Sequence, residues 1–377
     1  MKQIALLIPT LDRIGGAEQQ VLLLAEGLNR RGWRVTVVTL SGTGGEAPVR
    51  LQTAGVGFLS LRMRKGLADP RGWIQLNRWL RQEMPDVVHA HLPHAAWMAR
   101  WSRLGVPVRV LIDTIHTTAT GTCGRKLGYR ASNWLADRVS AVSCGVADAW
   151  SAANMVPGEL LVVIPNGVDV RTWRPDAAVR SSIRAELKIE KEFLWLAAGR
   201  LEPVKDYPTL FWAFATMPES GRLLVAGSGP LQAELIQLTR ALEIENRVRF
   251  LGFEPDLRRW MQAADGFVLS SRKEGLPMAV LEAASCGLPA VATGIPGTRE
   301  AIVDGQTGIL AKAVGSAIAM EGAMTRLMRM PESESAAMRQ RAREHIVEHF
   351  SLEAALDRWE ALYTELLLRN TEPKRWG

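Results

Sequence analysis

Short apolar runs alternate with stretches of helical periodicity along almost the whole chain. In the first half, Ile4–Pro9, Arg34–Leu40, Gly57–Leu61, Val87–Ala90, Val108–Asp113, Arg138–Val142 and Leu160–Ile164 read as strands. Helical patterns such as Ala17–Arg30, Pro70–Met84 and His94–Leu104 lie between them. Continuous apolar strands separated by helices predict a parallel sheet covered on both faces. The pattern then restarts. Phe193–Ala198, Arg222–Ala226, Arg247–Leu251, Gly266–Ser270 and Pro289–Ala292 read as strands, with helices near Tyr207–Ala215, Pro230–Leu242, Asp256–Ala264 and Pro277–Cys286. Two successive βαβ series predict an α/β protein of two doubly wound domains. The polar segment Val168–Asp176, containing Arg174-Pro175, is the linker candidate. From Ser316 to Asn370 only helical periodicity remains, ending in a helix near Leu352–Leu368. Ligands of open parallel sheets bind beyond the carboxyl ends of the strands. A cleft between two such domains would be lined by strand-to-helix loops, so the chemistry is sought there.

A length of 377 residues suits two domains, and 47% apolar with 23% charged residues is an ordinary globular profile. The longest apolar runs fall well short of the roughly 20 residues a bilayer core requires. The opening run Ile4–Pro9 reads as a buried strand rather than a signal peptide, because no small-residue cleavage site follows it. Cys123, Cys144 and Cys286 are odd in number and share no metal-ligand spacing with the six histidines, which suggests free thiols in a reducing cytosol. Charge changes the picture more. Residues 1–172 carry 20 Lys and Arg against 12 Asp and Glu, whereas residues 173–377 carry 26 against 27. The net charge of +7 therefore resides in the first half, where nucleic acid, an anionic membrane or a phosphorylated substrate could answer it, as could plain solvation.

Several strand ends carry candidate chemistry. After the first strand, Gly15-Gly16-Ala17-Glu18 opens a helix. It is either a tight turn or a place where a ligand approaches backbone amides. It lacks the spacing of the dinucleotide fingerprint. His116 follows the strand Val108–Asp113, as a packed histidine or a substrate contact. In the second half, Phe193–Ala198 runs into Gly199 and Arg200, with Lys205 five residues on. Two cations on one loop can clamp a diphosphate, the arginine as a fork and the lysine as a point charge. Gly227-Ser228-Gly229-Pro230 makes another glycine turn, whose small residues leave room for a nucleotide, and Phe253 either borders a base or belongs to the core. The sharpest pattern is Glu274-Gly275-Leu276-Pro277-Met278-Ala279-Val280-Leu281-Glu282. Pro277 suits the first position of a helix. Glu274 then stands in the loop before it and Glu282 about 7–8 Å along it, at roughly 1.5 Å per residue. One carboxylate can accept hydrogen bonds from sugar hydroxyls and the other from both hydroxyls of a ribose. Amides at the helix start favour anionic oxygens.

The segment Glu274–Glu282 resembles the paired-glutamate motif of retaining glycosyltransferases with the GT-B fold, particularly glycosyltransferase family 4. The likeness extends in order through Gly15-Gly16-Ala17-Glu18, Val142-Ser143, Ile164-Pro165-Asn166-Gly167-Val168-Asp169, Gly199-Arg200, Lys205, Gly227-Ser228-Gly229-Pro230 and Val303-Asp304-Gly305-Gln306-Thr307-Gly308. It covers residues 4 to about 310. It implies two Rossmann-like domains facing across a cleft: an acceptor-side domain over 1–172, a nucleotide-sugar domain over 173–350, and a helix within 351–377 returning to the first. It further implies that Arg200 and Lys205 bind the donor diphosphate, that Glu282 holds the ribose and Glu274 the donor sugar, and that amides of Gly16 approach the phosphates. His116 would contact the donor sugar near its reacting carbon. Gly15, Gly199, Gly229, Phe253, Gly275, Leu276, Pro277, Met278 and Ala279 complete the expected donor site. One departure is Asp206-Tyr207-Pro208, where such proteins often carry a glycine after the lysine.

The expected activity is transfer of a hexose with retention from a nucleotide-diphosphate sugar, UDP favoured, to a lipid-linked saccharide, a lipopolysaccharide or another glycan. No metal and no other cofactor is expected, since no Asp-x-Asp occurs. Arg62, Arg64, Lys65, Arg71, Arg78 and Arg81 mix with Trp73 and Trp79, and Arg125, Lys126 and Arg130 with Leu127, Tyr129, Trp134 and Leu135. Such mixtures suit an anionic membrane surface and place the protein at the cytoplasmic face of the inner membrane. A nucleotide-sugar epimerase or a phosphorylase of the same plan is the competing enzyme. A nucleic-acid binder is disfavoured because the basic residues follow no such motif.

Overall fold

The computed structural model describes residues 1–64, 69–121 and 123–370, without the side chains of residues 123–125. Lys65, the side chain of Arg125, and residues 371–377 therefore lie outside the described residues. The chain divides into two compact units, one of Met1–Gly167 with Leu352–Gly377 and one of Val168–Ser351.

The first unit holds a parallel sheet of seven strands: β1 (Gln3–Ile8), β2 (Arg34–Thr39), β3 (Gly57–Ser60), β4 (Val87–His91), β5 (Val110–Ile115), β6 (Arg138–Ala141) and β7 (Leu161–Val163). Their spatial order is β3-β2-β1-β4-β5-β6-β7, so the winding reverses between β1 and β4. Every residue of β4 and of β5 is buried, which is why both read as uninterrupted apolar runs with only short polar interjections. Asp113 of β5 and Arg100 form a fully buried ion pair, and the same guanidinium donates to Tyr129 O and to the side chains of Ser132 and Asn133.

The helix Leu352–Arg369 packs on this first unit. Leu356, Trp359, Tyr363 and Leu366 join Leu24, Leu28 and Trp33 in one core. A side chain at Gly27 would meet Leu356 at 2.6 Å, so this glycine sets how closely the two helices approach. Arg31 reinforces the contact with ion pairs to Glu353, Asp357 and Glu360 at 2.6, 2.7 and 2.6 Å. The division between units falls after Gly167 rather than after residue 172. Val168 pairs with Ser351 and donates its amide to Phe350 O, while Trp173 O accepts from Ser285 and Arg343.

The second unit holds six parallel strands: β8 (Phe193–Ala198), β9 (Gly221–Ala226), β10 (Val248–Gly252), β11 (Gly266–Leu269), β12 (Ala290–Thr293) and β13 (Gly308–Ala311). Their order is β10-β9-β8-β11-β12-β13, again with one reversal, between β8 and β11. The sheet edge at β13 is absent from the apolar pattern as read above. It is only four residues long, begins with glycine, and leaves the tight turn that starts at Val303. Both sheets are doubly wound, as the alternating pattern predicts.

Candidate active site

In an open parallel sheet the strand loops diverge at the reversal and leave a crevice there. In the second unit the two loops concerned follow β8 and β11, and they are stitched together. Ser270 donates its hydroxyl to Lys205 O at 2.8 Å, the Arg272 amide donates to Val204 O at 2.9 Å, and Arg272 Nε reaches Asp206 Oδ2 at 2.9 Å. The loops bring together the ammonium of Lys205 and the carboxylate of Glu274, whose Nζ and Oε1 are 2.6 Å apart. The Ser271 hydroxyl donates to the same Oε1 at 2.6 Å. Both charged side chains are largely buried, 20% and 13% exposed, so their pairing is screened far less than a surface pair.

The departure at Asp206 is resolved by backbone geometry. Asp206 has φ 49 and ψ 44, the left-handed region that glycine enters freely and that aspartate tolerates. Its carboxylate is held by Thr209 and Arg272, so the turn after Lys205 forms without glycine.

Arg200 is not drawn to Lys205. It is 75% exposed and pairs with Glu202 at 2.9 Å. Glu282 sits on the helix Met278–Ser285, which Pro277 caps rather than begins, its extended ψ of 97 placing it one residue outside. The Glu282 side chain has no hydrogen bond or ion pair among the described residues, and burial pushes its carboxyl up to about 8. An unpaired carboxylate in such surroundings costs free energy unless something donates to it. Leu276 and Pro277 are buried, while Gly275, Met278 and Ala279 are half-buried.

The glycines of the β9 loop serve the backbone first. A side chain at Gly227 would stand 2.0 Å from Gly199 O, and one at Gly229 2.4 Å from Leu201 O. These residues let the β8 and β9 loops touch, which differs from the simple expectation of room for a ligand. Phe253 is 70% exposed and so is not core.

In the first unit Gly15 and Gly16 are exposed at the start of the helix Gly16–Arg30, and the Gly15 amide is taken by Glu18 Oε2 at 3.0 Å. His116 follows β5 directly and is half-buried, with Nε2 3.2 Å from Nδ1 of His91. Burial lowers its pKa to about 4, so the ring is neutral near pH 7. Sequence reasoning missed His89 and His91, although two histidines two apart on an apolar strand signal one shared face. It also missed Ser271 and the Asp206–Arg272 pair.

Of the basic and aromatic sets, Trp73, Leu127 and Trp134 are exposed, as are Arg62, Arg64, Arg71, Arg78, Arg81 and Arg130, while Trp79 is half-buried; Ile74, beside Trp73, is exposed as well. Tyr129 and Leu135 are not. They are 4% and 0% exposed, because Tyr129 bonds Asp113 and Leu135 packs inward. Among the described residues no helix is long and apolar enough to cross a membrane.

Two doubly wound parallel sheets, one with a charged pair at its reversal point, define a two-unit α/β protein, and comparison with known proteins gives its class. Residues 179–345 match the family described as Glycosyl transferases group 1, and residues 14–172 match Glycosyltransferase Family 4. A D-inositol 3-phosphate glycosyltransferase of Mycobacterium sp. (strain KMS) is 30% identical over 338 residues, covering 78% of this chain and 74% of the relative. A UDP-Gal:alpha-D-GlcNAc-diphosphoundecaprenol alpha-1,3-galactosyltransferase of Escherichia coli is 25% identical, covering 80% and 81%. The crystal structure of Anabaena Alr3699/HepE in complex with UDP superposes with a TM-score of 0.84 at 22% identity, covering 97% of this chain and 100% of that one. The chain belongs to the family 4, group 1 glycosyltransferases, with the GT-B fold.

Proposed function

We propose that this glycosyltransferase moves a hexose, with retention, from a UDP-sugar to a lipid-linked saccharide, a lipopolysaccharide or another glycan, without a metal ion. The observation that carries the donor reading is the Lys205–Glu274 pair at the β8/β11 reversal, with an unpaired Glu282 eight residues beyond. As the bond from the sugar's anomeric carbon to the diphosphate oxygen breaks, charge gathers on the leaving diphosphate. Preorganised donors aimed at that charge supply the largest expected catalytic share, about 3–4 kcal/mol for one such group. Lys205 is one such donor, held in place by Glu274. Arg200, exposed on its loop, is the second, swinging from Glu202 to the diphosphate. Glu274 accepts from donor-sugar hydroxyls and Glu282 from the two ribose hydroxyls, while Phe253 borders the base and the start of the helix Met278–Ser285 meets anionic oxygens. His116 and the amides of Gly16 touch the donor from the first unit, which also takes the acceptor. The acceptor hydroxyl gives its proton to the leaving phosphate as its oxygen bonds the anomeric carbon.

The likeness to a relative named for a diphosphoundecaprenol acceptor supports a lipid-linked acceptor. So does the exposed face of the helix Pro70–Glu83, where Trp73 and Ile74 stand among Arg71, Arg78 and Arg81. Apolar and cationic side chains together favour peripheral contact with an anionic bilayer at the cytoplasmic face of the inner membrane.

Thermal-shift measurements with UDP-, GDP- and ADP-sugars test the donor, because a ligand of the folded state alone raises its stability. A shift with UDP-sugars is expected, and no shift with any nucleotide sugar removes the reading. Product analysis separates a glycoside from a free isomerised sugar, and its anomeric configuration tests retention. Activity lost to a chelator and restored by manganese overturns metal independence. Sedimentation with anionic but not neutral liposomes tests membrane contact.

A further inference from the structure

β4 places His89 and His91 on one face, with ring centroids 4.1 Å apart. Both nitrogens of His89 are used: Nδ1 meets the Tyr363 hydroxyl and Nε2 the Thr114 hydroxyl, each at 2.7 Å. His91 differs. Its Nδ1 lies 3.2 Å from Nε2 of His116, and its own Nε2 is sealed from solvent with no partner among the described residues.

This arrangement constrains where protons sit. Burial keeps His91 and His116 neutral, so each ring carries one N–H and a single proton lies between them. If His116 donated it, the proton of His91 would have to be on Nε2, a sealed donor with no protein acceptor. If His91 donates from Nδ1, Nε2 is a bare lone pair. Buried N–H groups left without an acceptor are rarer than acceptors left without a donor, which favours the second arrangement. The second arrangement leaves His116 with its proton on Nδ1, the nitrogen that has no partner among the described residues.

We infer that His91 is a positioning residue that fixes His116 in the Nδ1–H form, so that His116 meets the donor sugar as a hydrogen-bond donor and not as a base. This rests on the reading of His116 as a donor contact given above. It also fits a transfer in which the leaving phosphate takes the acceptor's proton, since the free nitrogen of His116 has no lone pair to offer.

Long-range ¹H–¹⁵N correlation spectra of the full-length protein, labelled at histidine nitrogens, read the two forms directly. A protonated Nδ1 and a bare Nε2 on His116 are expected. A proton on Nε2 of His116 overturns the inference, whatever the activity. The substitution His91→Leu removes the donor, and turnover should fall roughly tenfold or more at little-changed donor KM. His91→Asn, whose amide can donate near the position of Nδ1, should recover most of that loss. Equal depression in both variants overturns the inference. Should His91→Leu not fold, the spectrum of the native protein still decides. A near-native turnover for His116→Ala would instead sink the role of His116 in transfer, and the spectrum would leave the proton's position on record independently.

Discussion

Around β1 and β4 of the first unit, the strand ends and the last helix enclose neutral imidazoles, an indole and a phenol. Around β8 and β11 of the second, the corresponding loops hold an ammonium and a carboxylate in contact, with the carboxyl of Glu282, eight residues on, unpaired among the described residues. The strand order is the same apart from one added edge strand, and both windings reverse between the first and fourth strands of their unit. The same scaffold therefore offers a directional, uncharged surface in one unit and an electrostatic one in the other. The fold supplies the place, and the side chains at the strand ends decide which chemistry occupies it.

Substitutions confined to one unit sharpen that contrast. Arg100→Ala leaves Asp113 buried and unpaired, and should cost about 3–5 kcal/mol of stability in denaturant unfolding. Nucleotide affinity of the protein that remains folded should not change, and a parallel loss of affinity would break the separation between units. Lys205→Ala should lower turnover at least about a hundredfold with the fold intact by circular dichroism. Near-normal turnover in that variant removes the lysine from the mechanism. Glu282→Ala should weaken UDP binding by about tenfold, the order of the one or two hydrogen bonds to the ribose it would lose, in calorimetry. The smallest effect is one of pH. Burial raises the Glu282 carboxyl from 4.5 to about 8, so between those values the folded protein holds a proton that the unfolded chain has lost. Stability should then be greatest below 4.5 as far as this group is concerned, and fall as pH rises through that window. Glu282→Gln should flatten the decline in melting temperature between pH 5 and pH 8. An unchanged slope would show that the carboxyl titrates normally.

Much of this was legible in the chain. The strands of both sheets announce themselves as apolar runs because parallel strands are buried on both faces, β13 excepted. The motif from Glu274 to Glu282 was visible as residues, but not its electrostatics. That Glu274 is tied to Lys205 and Ser271, while the Glu282 side chain has no partner among the described residues, depends on contacts between loops far apart in sequence. The glycines at 227 and 229 were equally visible, yet their need arises from the Gly199 and Leu201 carbonyls of another loop. Tyr129 and Leu135 were misjudged as surface groups because the buried Asp113 that draws Tyr129 inward cannot be read from a local window.

The helix Leu352–Arg369 has a consequence for biosynthesis. It covers Leu24, Trp33 and His89, residues made about 280 to 345 positions before its end. A ribosome releases the first seven strands long before it releases their lid, whereas Val168–Ser351 is one uninterrupted stretch. The later half of the protein can thus reach its native state first. The earlier half keeps that apolar surface uncovered until the helix itself has been made.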